Sequence, residues 1–172
     1  MSCDNCGPHE HEFFRMVSLE FDVAAANKLV TPGRPTRVVP QNFLRGMGLP
    51  LEEEKCLNCG APISTCSCGK MSHHMSMVYI NEQHLAHLED VNRPGIIATV
   101  LWAKPGDGAK YSAILIDGNH RAVRAAREGR EFKAIMLTPT ETWKIMSGLT
   151  KCAVNPGTKK GKAILAEMGW AE

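Results

Sequence analysis

The stretch Ile114-Leu115-Ile116-Asp117-Gly118-Asn119-His120-Arg121-Ala122-Val123-Arg124-Ala125-Ala126-Arg127-Glu128-Gly129 decides how this chain reads. Ile114–Ile116 close an apolar run, Tyr111–Ile116, that predicts a buried strand. Asp117-Gly118 breaks the run. Asn119 has the side chain of a helix N-cap, His120–Glu128 carry an Ala-rich helical pattern, and Gly129 stands where a helix C-terminus favours a left-handed residue. A strand, a tight glycine turn and a helix start turn backbone N–H groups toward an anion. His120 and Arg121 fall in the first turn, where a cation opposes the helix dipole by a few tenths to about 1 kcal/mol. An arginine at that place points to a phosphate held between guanidinium and helix. Gly118, Asn119, His120 and Arg121 are therefore the candidate phosphate ligands. His120 has the chemistry of a general acid or base, and Asp117 that of a carboxylate orienting it or Arg121.

Strands and helices alternate on both sides of this turn. Upstream, Val78–Ile80 reads as a short strand and Asn81 as the cap of a helix over Glu82–Val91, closed by Arg93-Pro94-Gly95. On that helix His84 and His87 share one face and Leu85 and Leu88 the other. Ile96–Ala103 reads as a buried strand, and Lys104–Lys110 as a loop of turn residues. Downstream, Phe132–Leu137 is a strand. Thr138-Pro139-Thr140-Glu141 has capping-box spacing, opening a helix that runs to about Ser147. Nearer the N-terminus, Phe13–Phe21 reads as a strand, Asp22 as the cap of a helix over Val23–Val30, Arg37–Val39 as a strand start and Pro40–Met47 as a short helix. A last short helix is expected over Lys160–Met168. The alternation from 78 to 148 predicts an α/β (α+β) domain built on a mixed sheet.

The chain has 172 residues, 44% of them hydrophobic, which suffices for one ordinary domain with an added module. The net charge of +2 excludes a uniformly basic nucleic-acid coat, so any phosphate contact must be local. One local patch is Arg121, Arg124, Arg127, Arg130 and Lys133, set against Glu128 and Glu131. A weaker one is Lys159, Lys160 and Lys162. No apolar run has the length of a membrane span, and the N-terminus lacks the apolar core of a signal peptide. A cytoplasmic, reducing location follows as the expectation, without a membrane partner. There cysteines serve metals more often than disulfides.

Six of the seven cysteines are paired in sequence as Cys3/Cys6, Cys56/Cys59 and Cys66/Cys68. Cys3-Asp-Asn-Cys6-Gly7 and Cys56-Leu-Asn-Cys59-Gly60 share one form, which resembles a zinc knuckle. Cys56, Cys59, Cys66 and Cys68 together resemble a short zinc ribbon, with a C-x-C second pair in place of C-x-x-C. Four thiolates would leave zinc no open position, which makes it structural. The alternative joins Cys3 and Cys6 to Cys56 and Cys59. Cys66, Cys68, His73 or His74 are then free or bind a second ion, and His9 and His11 are further candidate ligands. Four local ligands cost less loop-closure entropy than two distant pairs. Residues 51–76 are poor in large apolar side chains, and structural zinc, worth on the order of 10 kcal/mol, would order them. The organisation expected is residues 1–50 as an N-terminal part or extension, 51–76 as the zinc-ribbon-like insertion, 77–148 as the core and 149–172 as a tail.

The stretch Val78–Met146 resembles the ParB/sulfiredoxin-like superfamily. The likeness rests on Val100-Leu101-Trp102, then a loop and a second strand, then Ile116-Asp117-Gly118-Asn119-His120-Arg121-Ala122. The turn is similar to the G-C-H-R of sulfiredoxins and, more loosely, to the G-E-R-R of ParB proteins. The resemblance implies a ParB/sulfiredoxin-like fold, a bacterial or phage source, and nucleotide phosphate at the turn: ATP as in sulfiredoxins or CTP as in chromosome-partition proteins, with magnesium. It aligns His84 and His87 with nucleotide-contacting positions, so that His84, His87 and His120 would meet in one pocket. Asn119 replaces the sulfiredoxin cysteine, which removes the thiolate that sulfinic-acid reduction needs. ParB proteins have Glu at that position, and the superfamily also holds nucleases and a serine kinase. Two functions follow as expectations. One is phosphoester chemistry on a nucleotide or nucleic acid, as an NTPase, a ParB-like nuclease or a small-molecule kinase. The other is a non-catalytic zinc-containing adaptor that binds DNA, other nucleic acid or protein.

Overall fold

Alternating burial sets the first sheet. Leu19 and Phe21 are buried while Glu20 and Asp22 are half-buried, as period-two geometry requires of a strand with one covered face. The computed structural model describes residues 13–16, 19–52, 55, 59–62, 80, 82–104, 108–148 and 153–170. In it the expected single strand over Phe13–Phe21 is two, β1 (Phe13–Met16) and β2 (Leu19–Asp22). They pair antiparallel, with Phe14 opposite Phe21 and Met16 opposite Leu19. The two phenyl rings lie 6.5 Å apart. Asp22 caps α1 (Val23–Leu29) as expected, its carboxylate accepting the Ala25 N–H at 2.7 Å.

The elements that follow are β3 (Arg37–Val38), α2 (Gln41–Gly46), α3 (Glu82–Ala86), β4 (Gly95–Lys104) and β5 (Gly108–Asp117). After them come α4 (Asn119–Arg127), β6 (Lys133–Met136), α5 (Pro139–Ile145), β7 (Met146–Ser147) and α6 (Lys159–Glu167). The sheets have strand orders β1-β2-β7 and β3-β6-β4-β5, a mixed α/β architecture. Contacts divide the chain into two compact units. The described residues of the first fall in Val38–Gly95 and Gly118–Ala134; those of the second fall in Pro8–Arg37, Ile96–Asp117 and Ile135–Glu172.

Several sequence expectations are corrected. The loop expected over Lys104–Lys110 is narrower, because Lys104 ends β4 and Gly108–Lys110 begin β5, with Lys110 opposite Trp102. The strand expected to be buried throughout is buried only at Ile114, Leu115 and Ile116, and Tyr111 is 51% exposed. The helix expected to reach Val91 ends at Ala86, and Ile80 lies outside any strand, with Val78 and Tyr79 beyond the described residues. The helix opened at Thr138 ends at Ile145, where Met146 turns extended and pairs with Phe21. Sheet hydrogen bonds with a sequence-distant strand outcompete the last helical turn there.

In the second unit, Leu101 packs with Ile164 and Leu165 of α6, and Val154, Met168 and Trp170 close over them. Thr158 caps α6 by accepting the Gly161 N–H at 3.1 Å. Tyr111 meets Trp170 edge-on, ring centres 6.1 Å apart. Two buried polar residues are joined there, the Thr99 N–H donating to Thr142 Oγ1 at 2.8 Å. Thr142→Val keeps the shape and orphans that N–H. A loss of roughly 1–3 kcal/mol is expected in denaturant unfolding, against near neutrality if water reaches the amide.

Candidate functional site

The first unit carries the turn. Gly118, not Asn119, is the N-cap of α4, and it holds φ +94°. The correction has a steric cause. A Cβ at Gly118 would stand 2.9 Å from the Gly95 Cα, 3.1 Å from Phe132 Cζ and 3.2 Å from an Arg121 terminal nitrogen. Only glycine fits both the left-handed backbone and the closeness of these neighbours. The cap therefore moves one residue earlier, and Asn119 becomes the first helical residue. Gly118, having no side chain, makes no side-chain cap bond. The first bond back along the helix is from the Ala122 N–H to the Gly118 carbonyl at 2.8 Å, so the N–H groups of 119–121 precede the intrahelical ladder.

Around this end the fold gathers three of the expected residues. His84, on α3, meets His120, on α4, edge to face, with ring centres 4.6 Å apart and planes at 81°. Arg121 folds back toward the Gly118 Cα, and its Nε and Nη2 atoms are buried. Asn119 Oδ1 is buried and accepts no hydrogen bond among the described residues. Asp117 is the last, half-buried residue of β5. His87 is exposed and follows the last residue of α3, held by a backbone bond from its N–H to the His84 carbonyl at 3.2 Å.

The basic row along α4 has a different role from the one its composition predicts. Arg124 donates through Nη1 to the carbonyl of Leu88 (2.9 Å), beyond the end of α3, and to that of Leu85 (3.4 Å), in its last turn. Its Nε donates to Glu128 Oε1 at 2.8 Å. Arg127 donates to the Pro50 carbonyl at 3.4 Å, and Arg130 Nε to Glu128 Oε2 at 2.7 Å. The guanidinium groups hold the Glu128 carboxyl below its ordinary range, Arg124 most and then Arg130. Arg124 and Arg127 tie α4 to distant segments of the first unit, and Arg130 pairs locally with Glu128. Sequence reading missed this because backbone carbonyls of Leu85, Leu88 and Pro50 leave no mark in residue type.

The cysteines are only glimpsed. Cys56, Cys66 and Cys68 lie outside the described residues, as do Cys3, Cys6, His9, His11, His73 and His74. Lys55 and Pro62 form an antiparallel bridge, and between them Cys59 is exposed in a turn that continues into Gly60 at φ +71°. Among the described residues no group of three His, Cys, Asp or Glu side chains is set to hold a metal. Among the same residues no helix is long and apolar enough to cross a membrane. No protein-family model, curated protein or solved structure matches the chain.

Proposed function

We propose that the chain is a ParB/sulfiredoxin-like protein that binds a nucleotide or nucleic-acid phosphate at Gly118–Arg121 and carries out phosphoester chemistry there. The observation that supports this most is the α4 N-terminus opening at a left-handed glycine, with the Arg121 guanidinium next to Gly118 and the His84–His120 pair on the adjoining helices. Main-chain N–H groups would fix the anion. Arg121 would add a charge-assisted contact, and His120 would hold or move the proton at the reacting oxygen. Asp117, at the strand end before the turn, would orient His120 or Arg121. With His87 exposed past α3, His84 is the α3 histidine favoured for the site. Asn119 offers no thiolate, so sulfinic-acid reductase activity is excluded from the proposal. Arg124, Arg127 and Arg130 bond within the unit, which favours Arg121 as the phosphate contact; the non-catalytic adaptor remains the second reading.

The test is titration of ATP, CTP, GTP and short DNAs, with and without magnesium. Arg121→Ala is expected to lower phosphate affinity about ten- to a hundredfold, the loss of one charge-assisted bond of roughly 1.5–3 kcal/mol. Arg124→Ala is expected to lower the melting temperature, through the freed Leu88 carbonyl, more than it lowers affinity. Equal loss of affinity from both, abolished by salt, would instead indicate a diffuse basic surface.

We further propose one structural zinc on Cys56, Cys59, Cys66 and Cys68. What supports it is the antiparallel bridge between Lys55 and Pro62, which flank the first pair in sequence, and the left-handed Gly60 directly after Cys59. Cys3 and Cys6 remain the alternative second pair. Elemental analysis of gently purified protein is expected to give one equivalent of zinc; less than half an equivalent would refute the site. Cys66→Ser is expected to abolish the zinc, whereas retention with loss only in Cys3→Ser would move the second pair to the N-terminus.

A further inference from the structure

The helix that brings His84 to the turn cannot hold its own place. α3 has five residues, and a helix of that length is marginal by itself. Leu85 is buried, which ties the helix down at one point. Two contacts with α4 set its position along that helix. One is the His84–His120 pair, with ring centres 4.6 Å apart. The other is Arg124, whose Nη1 donates to the Leu88 carbonyl at 2.9 Å and to the Leu85 carbonyl at 3.4 Å. The spacings of the two contacts match. His84 and Leu88 are four residues apart, and so are His120 and Arg124. Four residues along a helix return to the same face, so the His120 ring and the Arg124 guanidinium rise from one stripe of α4, a turn apart. Residues 84–88 are laid along that stripe at both points.

The chemistry of the second contact suits a clamp. The carbonyls at a helix C-terminus lie beyond the helical ladder and form the negative end of its dipole. A guanidinium there makes charge-assisted bonds, the stronger kind. Arg124 is oriented for it by Glu128, which accepts its Nε at 2.8 Å and leaves Nη1 for α3. The Leu85 carbonyl belongs to the residue after His84, so holding it fixes where the His84 backbone stands. Resting on the phosphate reading above, we propose that Arg124 is a positioning residue of that site. It touches no ligand, and it acts by docking α3 so that His84 stands against His120. Its role is then separate from that of Arg121, one turn earlier. Arg121 governs whether phosphate binds, and Arg124 governs whether the second imidazole is in place.

Nuclear magnetic resonance of the full-length protein, with histidine and arginine isotopically enriched, tests this alongside titration of inorganic phosphate. In the unaltered protein a nuclear Overhauser effect is expected between the ring protons of His84 and His120. The Arg124 guanidinium protons are expected to exchange slowly with water and to show cross-peaks to Leu88. Arg124→Met keeps the apolar stem and removes the donors. It is expected to lose the effect between the two rings and to leave phosphate affinity unchanged, while Arg121→Ala does the reverse. Unshifted indole N–H signals of Trp102 and Trp170, in the second unit, show that the variants are folded. A ring contact that survives Arg124→Met would overturn the positioning role. Fast-exchanging Arg124 protons in the unaltered protein would overturn it with no variant needed. A fall in phosphate affinity in Arg124→Met as large as in Arg121→Ala would overturn it too, by placing Arg124 on the ligand. If the unaltered protein binds no phosphate while the ring contact still follows Arg124, the phosphate reading fails and takes the positioned site with it, and only the docking of α3 stands.

Discussion

Gly118→Ala is expected to destabilise the protein by roughly 2–5 kcal/mol, a large part of the stability of an ordinary domain. Two costs add. A side chain in the left-handed region costs about 1–2 kcal/mol. Gly118 stands at φ +94°, and its new methyl would also meet the Gly95 backbone at 2.9 Å and the buried Phe132 ring at 3.1 Å. One neighbour is backbone and the other a buried ring, so relief requires α4 to shift away from Gly95 and Phe132, at an overpacking cost of about 1–3 kcal/mol. Gly129 supplies the control. It has φ +66° with nothing within 4 Å of a Cβ, so Gly129→Ala carries the backbone cost alone, about 1–2 kcal/mol. Denaturant midpoints at unchanged slope measure both variants. Equal losses in the two would mean that the approach of Gly95 and Phe132 is not what demands glycine at the turn.

Arg34→Met is expected to cost roughly 2–3 kcal/mol at neutral pH. In the second unit Arg34 grips Glu141 with both terminal nitrogens, at 2.8 and 2.6 Å, and also donates to the carbonyls of Met136 and Leu29. The two side chains are only 18% and 25% exposed, so solvent screens the pair less than a surface bridge. Methionine keeps the apolar stem and leaves the Glu141 carboxylate half-buried without its cation. That carboxylate also closes the capping box, accepting the Thr138 N–H at 2.8 Å, so α5 is affected too. Burial works against ionising Glu141. The Arg34 hydrogen bonds, with the Thr138 N–H, outweigh it and set the carboxyl below its ordinary value of 4.5. A depressed folded value means that the pair's stabilisation is complete above the unfolded value and is lost as pH falls through the folded one. The gap between the parent protein and Arg34→Met should therefore be constant from pH 7 to about 5 and shrink below pH 4.5. Glu141→Gln, alone and combined with Arg34→Met, isolates the pairwise energy. A gap that stays constant to pH 3 would assign Arg34's contribution to the two carbonyls.

Whatever depends on residues within one turn of each other was legible along the chain. Asp22 caps α1 because its carboxylate reaches an N–H three residues on. Thr138, Pro139 and Glu141 build their capping box from four consecutive positions. The strand, glycine turn and helix at Asp117–Arg121 follow from period, breaker and propensity, so this strand-turn-helix could be located before any fold was known. The cysteine pairs are equally local.

Other features were decided by parts of the chain that meet only in the folded state. Asn119 has the better capping side chain, yet Gly118 takes the cap, because Gly95 and Phe132 approach too closely for any Cβ. Arg34 reads as one more loop cation until Glu141, 107 residues away, comes within 2.8 Å. His84 and His120 share a helix-to-helix contact, whereas His87, spaced to join them, is left beyond a helix that ends early. Arg124, Arg127 and Arg130 show the same lesson in charge. Their row predicts a surface for phosphates, and the fold turns them onto Leu88, Pro50 and Glu128. The physical reason is common to all four: residue type sets what a cap or a long side chain can do, and the packing of distant elements sets which backbone, carbonyl, carboxylate or ring stands close enough to decide it.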